Sequence, residues 1–573
     1  MHVFARLELT RHVATRGDNA LLLEGAWDES VQGRASSSLD DTIGHGYAWI
    51  DEEAARLAET AAEAGAGRGA PTLAWLNVLK LRYLCLKLLR VAAYFVDIAP
   101  PGAIEFIGQR DRDLDYAALL ATIARAQGRA FSSRFFDGPA TVKVAPSRRF
   151  DWTRAIAATW ERCWPARGDV TGAVALMGNP RVLDPVCGEL ARRGRAVWSI
   201  DTRYPIRHAL RWRGTSVRHV ALDREHGNRE SRIDGAIPRG LEWRGISLDE
   251  AVGQWLTRLA QDVLITQRAW LASLESFFER HHVAALVLDE DATPLKRAAI
   301  HASRRRGVPS IVAQHGALAV RFGYSPLEAD LFAAWDEASR DQLVDWGVEA
   351  EKIIVTGSPN QAMLGAELAA RGARRPRDRV LLLGTVPPND ARPDSVAFRL
   401  TTTTYRGMET VVERAMSAAP GARWTLRPHP RAASFERLTA RRGSRTAPRL
   451  AIDREKSLAR SLAGADCVVS CASSAGIEAA KAGLPVVQLL PAGSSEVLPA
   501  RRHGLVGSAR SSDELAALVK LALCQGTTTR SESVSNLRDS CAARRIVEAV
   551  FELRARRVTP SMRTEPARVG RSA

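Results

Sequence analysis

Lysine is almost missing from this chain: of its 81 basic residues only eight are Lys and 73 are Arg. The formal net charge of +17 therefore comes from arginines scattered along the whole length. That is the mark of a compositional bias, not of a stripe built for phosphates. Zinc-finger spacing, helix-turn-helix patterning and basic stripes interleaved with aromatics are all lacking, so nothing supports a nucleic-acid partner. Cysteine is scarce as well. Seven in 573 residues, none in a CxxC pair, argue against a disulfide framework or a zinc cluster and fit a reducing compartment. Long apolar runs are missing too. The run Ala20 to Leu23 is too short for a secretory signal. The stretch Thr72 to Val96 is interrupted by Lys80, Arg82, Lys87 and Arg90, so it does not read as a bilayer span. The expectation is a cytoplasmic protein.

What is present is ordinary globular composition, 46% apolar, in a length that suits about three domains. Residues 1–165 form a first region with no visible chemistry. It holds a Gly/Ala-rich loop at Ala61 to Ala70, a short strand at Ala103 to Ile107 and a helix at Tyr116 to Ala126. Between them, Thr72 to Val96 reads as an amphipathic helix with Leu73, Leu81, Leu84, Leu88, Val91 and Phe95 on one arc. Such an arc lies either on the inner membrane surface or on a domain core.

From residue 166 the pattern becomes regular. The strand Ala173 to Met177, a helix to Arg193 and the strand Ala196 to Ile200 make a βαβ unit of a parallel sheet. A long helix, Gln254 to Glu279, precedes the strand Ala284 to Leu288, the helix Pro294 to Arg306 and the strands Pro309 to Ala313 and Lys352 to Thr356. This first Rossmann-like, acceptor-side domain is expected over 166–369. The charged linker Ala370 to Arg379 leads to a second, nucleotide-donor domain over 376–555. Its expected strands are Val380 to Leu383, Trp424 to Leu426, Cys467 to Ser470 and Pro485 to Leu490. Asp513 to Leu523 and Arg545 to Leu553 are its closing helices. Residues 556–573 read as a basic, disordered tail.

Paired open α/β sheets bind ligands beyond the carboxyl ends of their strands, and three peptides stand there. Gln314-His315-Gly316 follows a strand. Gly316 permits a sharp turn, and His315 is a general-base candidate, although a structural histidine fits so short a motif too. Arg427-Pro428-His429-Pro430 fixes His429 between two prolines on a stiff turn. That suits an imidazole aimed at a phosphate, with Arg427 as a second contact. In Asp466 to Leu489, Ser473 and Ser474 precede a helix from about Ala475 to Ala482, an anion site by its free amides. Glu478 sits in that helix. Position 475 is Ala, so Glu478 has no capping-box partner there, which favours a ribose contact.

The ordered set QHG, VTGSP (Val355 to Pro359), RPHP and SSxGIEAxxxGLPVV resembles the GT-B superfamily of nucleotide-sugar enzymes. In pattern it is similar to bacterial surface-polysaccharide transferases: capsule Kdo transferases, sialyltransferases with HP and SS motifs, and CDP-glycerol glycerophosphotransferases. The resemblance covers roughly Ala284 to Leu490. It implies an α/β, GT-B-like fold, with two doubly wound Rossmann-type domains facing a cleft and an extra N-terminal region that is α/β or mostly helical. It also implies a glycosyltransferase carrying a sugar from a nucleotide-activated donor to a saccharide or lipid-linked acceptor. No cofactor beyond the nucleotide-sugar co-substrate and no metal are implied. Carried over by residue, Thr385, Arg427, His429, Ser473 and Ser474 bind the donor phosphate side and Glu478 its ribose. His429 also assists departure, and the base is either His315 or a carboxylate of Asp289-Glu290-Asp291. Asp289 and Asp291 also spell a DxD, the metal motif of GT-A enzymes, which do not need a second domain with HP and SS motifs. The stretch Val287 to Leu318 resembles UDP-N-acetylglucosamine 2-epimerases as well. Those carry a Glu where this chain reads Ala313-Gln314-His315-Gly316-Ala317. A non-catalytic GT-B scaffold is the remaining alternative.

Overall fold

The computed structural model describes residues 1–6, 20–24, 36–39, 49–63, 70–110, 112–137, 172–201, 210–212, 215–220, 222, 232–319, 321, 323–359, 377–386, 402–429, 434–440, 450–455, 457–471, 473–494, 496, 498–525 and 541–558. Among them are three parallel sheets. The first contains β1 (His2–Arg6), β2 (Ala20–Glu24), β3 (Ser36–Ser38), β4 (Ile104–Gln109) and β5 (Phe131–Phe136), in the order β3-β2-β1-β4-β5. The N-terminal region is therefore α/β.

The second sheet has seven strands. They are β6 (Ala173–Met177), β7 (Val197–Ile200), β8 (Val217–Val220), β11 (Val283–Leu288), β12 (Ser310–Ala313), β13 (Leu331–Ala334) and β14 (Ile353–Val355), ordered β14-β13-β12-β11-β6-β7-β8. A small hairpin of β9 (Glu242–Trp243) and β10 (Ile246–Ser247) stands apart. The third sheet holds β15 (Arg379–Leu383), β16 (Arg423–Arg427), β17 (Leu450–Ile452), β18 (Cys467–Ser470), β19 (Val486–Leu489) and β20 (Gly507–Ala509), ordered β17-β16-β15-β18-β19-β20.

Both larger sheets are doubly wound, and the residues show why. Strands buried on both faces need apolar side chains at every position. In β6, Val174 and Leu176 enter one core while Ala173, Ala175 and Met177 enter the other. In β15, Val380 and Leu382 face one core, Leu381 and Leu383 its opposite. Chain order reverses between β6 and β11 in one sheet and between β15 and β18 in the other. Those two switch points are where crevices open. This is the GT-B-like architecture of two Rossmann-type domains.

Of the two places open to the arc of Thr72 to Val96, it takes the domain core: Leu73, Leu81, Leu84, Leu88, Val91 and Phe95 are all buried in the core shared with the second sheet. The segment also breaks at Asn77, giving helices Leu73–Leu76 and Val78–Asp97. Among the described residues no helix is long and apolar enough to cross a membrane. The final helix, Ala542–Val558, does not close the second Rossmann domain. Its Ile546, Val547 and Val550 pack with Val182, Val186 and Leu190 of helix Pro180–Arg192 on the first. Its apolar face matches that sheet's outer layer. Most of the linker Ala370 to Arg379, most of the Gly/Ala-rich loop and the tail from 559 lie outside the described residues.

Candidate active site

At the first switch point, the carboxyl ends of β6 and β11 meet in register at Met177 and Leu288. The amide of Asn179 donates to a carboxylate oxygen of Asp289 at 2.8 Å, while its side chain caps helix Pro180–Arg192. Gly178 has φ of 157°, and a Cβ there would strike the Asp289 carboxylate. Asp289 also pairs with Lys296. Glu290 takes the amides of Ala292 and Thr293 at 2.8 and 3.0 Å and the Lys296 ammonium at 2.7 Å. Burial pushes the Glu290 carboxyl up, but Lys296 and the Thr293 hydrogen bonds outweigh it and hold the group below its ordinary value. Asp291 turns the other way and accepts from the amides of Glu328 at 2.7 Å and Ala329 at 3.2 Å. Burial raises it to about 6, with Arg297 opposing.

The acidic trio is thus turned inward. Asp289 and Asp291 are almost fully buried and serve different partners, so the geometry fits neither a solvent-facing base nor a shared metal pair. The sequence pattern could not show this, because the partners lie on helix Pro294–Arg305 and on residues 328–329.

His315, by contrast, is exposed directly past β12. Its Nδ1 lies 2.7 Å from the carbonyl oxygen of Asp289. A carbonyl only accepts, so this contact assigns the proton to Nδ1 and leaves the Nε2 lone pair of the neutral ring outward. The backbone beneath is pinned by Gln314. Its side chain donates to the Gly316 carbonyl at 2.8 Å and accepts from the Trp335 amide at 2.7 Å, and the Gln314 carbonyl accepts from Trp335 Nε1 at 2.8 Å.

At the second switch point, Leu383 registers with both Arg427 and Ser470. The turn carrying His429 is stitched to the end of β15. The His429 amide donates to Ser434 Oγ at 3.1 Å, and that hydroxyl donates to the Thr385 carbonyl at 2.9 Å. Only glycine fits at 384, where a Cβ would stand 2.6 Å from Ser434 Oγ and 2.9 Å from the Arg427 carbonyl oxygen. His429 and Thr385 are half-buried; Pro430 lies outside the described residues. Arg427 departs from expectation. Its guanidinium pairs with Asp453 at 2.8 Å and donates to the Glu455 carbonyl at 2.9 Å and to Ser461 Oγ at 2.5 Å. It braces β17 and the helix Leu458–Gly464 instead of reaching for a ligand.

The helix after β18 runs Ser474–Lys481. Ser473 is its cap: its hydroxyl accepts from the Gly476 amide at 3.3 Å and meets Ser470 Oγ at 2.8 Å. Ser474 crosses between domains, its Oγ accepting from the Ala317 amide at 2.8 Å. That bond sets Ser474 against the Gly316-Ala317 backbone, just past His315. Around it Ala319 and Trp335 pack on Ile477 and Leu498, Lys481 pairs with Asp336, and Arg502 pairs with Asp345 at 2.7 Å. Glu478 is the outlier. Among the described residues its carboxyl has no hydrogen bond or ion pair, and burial raises it to about 7, with Arg181 and Lys481 opposing. A mostly buried carboxyl without a donor is costly to keep, and a ligand hydroxyl would satisfy it.

No motif marks Lys296 or Lys481, and Gln314 stands in its motif without its bracing role. A signal existed for the lysines. In a chain with eight, two sit in mostly buried ion pairs at this cleft, where a compact point charge serves differently from a guanidinium fork.

No protein-family model matches the chain, and no curated protein matches it. Solved structures similar to it include the UDP-GlcNAc 2-epimerase of Neisseria meningitidis bound to UDP-GlcNAc, at 12% identity and TM-score 0.40, covering 67% of this chain and 100% of that one. The UDP-GlcNAc 2-epimerase of Methanocaldococcus jannaschii gives 13% identity and TM-score 0.42, with coverage of 67% and 100%. MurG of Acinetobacter baumannii gives 12% and 0.39, with 66% and 99%. The fold class itself rests on the two sheet orders above, and it is that of two parallel, doubly wound domains joined across a cleft.

Proposed function

We propose that this chain is a GT-B-type glycosyltransferase, carrying a sugar from a nucleotide-activated donor to a hydroxyl of a surface-polysaccharide or lipid-linked acceptor in the cytoplasm. The observation that carries the reading is the bond from the Ala317 amide, two residues past His315, to Ser474 Oγ across the domain interface, with Glu478 in the same helix a mostly buried carboxyl that has no partner among the described residues. In this reading the donor lies on the second domain. Glu478 accepts from the ribose hydroxyls, and the amides opening helix Ser474–Lys481, with the Ser474 hydroxyl, face the phosphate. His429 donates to the oxygen that departs, a bond that strengthens as negative charge builds there. His315, with Nδ1 committed to the Asp289 carbonyl, takes the acceptor proton at Nε2. The inward carboxylates favour His315 over Asp289 or Asp291 as base. No step is assigned to a metal, so activity is expected to persist in EDTA.

The test is thermal shift with CMP-, CDP-, UDP- and GDP-linked donors, followed by nucleotide release with and without acceptor glycans. One nucleotide class should stabilise the protein by about 2.7 kcal/mol at 100 times its dissociation constant, and His429→Ala should lower turnover about 10²–10³-fold. Release from CDP-glycerol alone would move the assignment to a glycerophosphotransferase. Conversion of UDP-N-acetylglucosamine to its 2-epimer without acceptor would move it to an epimerase. No stabilisation by any nucleotide would leave a scaffold and overturn the proposal.

A further inference from the structure

We propose that Tyr324 is the positioning residue for His315, and that the N-terminal sheet unit holds Tyr324 in place; this rests on reading His315 as the base. The Tyr324 ring stacks on the imidazole with centroids 5.5 Å apart and planes 18° apart. Its hydroxyl lies 3.5 Å from Nε2. On its other side Phe332 packs edge-on at 6.2 Å. With Nδ1 bound below and a ring stacked above, the imidazole has lost the freedom to rotate. At 3.5 Å the phenol oxygen makes no more than a long contact with Nε2, so the stacked ring orients the imidazole while the single Nε2 lone pair stays open to the acceptor proton.

Tyr324 belongs to the long connection between β12 and β13, whose described residues form no helix or strand. Residues from elsewhere fix it. Arg82, buried on helix Val78–Asp97, donates to the carbonyl of Ser325 and to Glu59 at 3.0 Å. Trp75 Nε1 donates to Glu328 at 3.2 Å, and Arg297 pairs with Glu328 while lying 4.2 Å over the Trp75 ring. Asp291 takes the amides of Glu328 and Ala329. The N-terminal unit thus reaches the imidazole through the segment Tyr324 to Ala329, with Glu59 also 4.0 Å from Arg321 just before it. This gives a role to a region that the motifs leave without one, and to Asp291 a task other than proton transfer.

The experiment uses full-length protein with ring-¹⁵N histidine, the His315 signals being identified by their loss in His315→Ala. Wild type should show a single neutral tautomer protonated at Nδ1. Tyr324→Leu should broaden those signals or mix in the other tautomer. It should also lower kcat by about tenfold to 10²-fold, as misplacing a catalytic group does, with donor KM changed less than about twofold. Tyr324→Phe keeps the stack and should restore the wild-type spectrum and most of kcat. Arg82→Met, which frees the Ser325 carbonyl without touching the ring, supplies the same signature by a second route should Tyr324→Leu not fold. Unchanged His315 nitrogen signals in both Tyr324→Leu and Arg82→Met would overturn the proposal. The spectra also separate the two readings. Altered signals in a protein that transfers nothing would uphold the positioning and sink the transferase, whereas active variants with silent spectra would do the reverse.

Discussion

Replacing Glu478 with Gln separates what its carboxyl costs from what it does. Burial holds this group at about 7 against an ordinary 4.5. Well below pH 4.5, folded and unfolded chains both carry the proton and the group is neutral to stability. As pH rises, the unfolded chain ionises first, so stability is lost between 4.5 and about 7, and the loss is complete above that. The interval from 4.5 to about 7 is equivalent to about 3 kcal/mol, and water in the cleft screens part of it, leaving about 1–3 kcal/mol. Glu478→Gln cannot ionise. It should match wild type in urea midpoint near pH 5, within about 1 kcal/mol, and exceed it by about 1–3 kcal/mol at pH 8. Despite that gain it should bind nucleotide more weakly, since the ribose then meets a neutral acceptor. Binding to wild type should also expel a proton near pH 6.5, because two ribose donors favour the ionised form. Calorimetry in two buffers of different ionisation heat counts that proton. A stability difference that stays flat from pH 5 to pH 8 refutes the desolvation argument. Binding without proton release refutes the ribose contact.

Two glycine substitutions should move the unfolding temperature in opposite directions. Gly384→Ala forces a Cβ against Ser434 and the Arg427 carbonyl and should cost about 1–3 kcal/mol; Gly407→Ala, helical with nothing within 4 Å, should add about 0.5–1 kcal/mol. Lys296→Met leaves Asp289 and Glu290 buried without their cation and should cost about 3–5 kcal/mol in urea unfolding. Arg427→Met should lower stability by releasing Asp453 yet leave nucleotide affinity within about twofold; a large affinity loss in a folded variant would return Arg427 to the donor site.

The sheets were legible where strands lie in the middle of them. Ala173–Met177 and Cys467–Ser470 coincide with expectation to the residue, because double burial writes a nearly unbroken apolar run, broken only by Ser470. Peripheral strands carry weaker marks. Leu331–Ala334 is short and lacks β-branched residues, and Ser36–Ser38 has no apolar residue at all. For the candidate site, the rule that ligands gather beyond strand ends singled out His315, His429, Ser473 and Ser474, each of which stands just past a strand. Direction was not legible. Arg427 ends β16 on the face opposite Trp424 and Leu426, which enter the core, and what lies on that face is Asp453, 26 residues on. The acidic trio misled for the same reason: three carboxylates at a strand end look alike in sequence, and only packing decides that two point inward at Lys296 and one at the 328–329 backbone.

Because helix Ala542–Val558 returns to the first Rossmann domain, the second is an insertion, leaving after β14 and coming back before residue 542. A chain cut short near residue 525 would keep every strand of the second domain yet strip Ile546, Val547 and Val550 from the core of the first. Damage from a C-terminal truncation would therefore surface beside Val174 and Leu176, more than 350 positions upstream. The second domain, held at both ends, is joined to its neighbour by two covalent connections, a double tether that limits any swing or twist across the cleft more tightly than a single linker would.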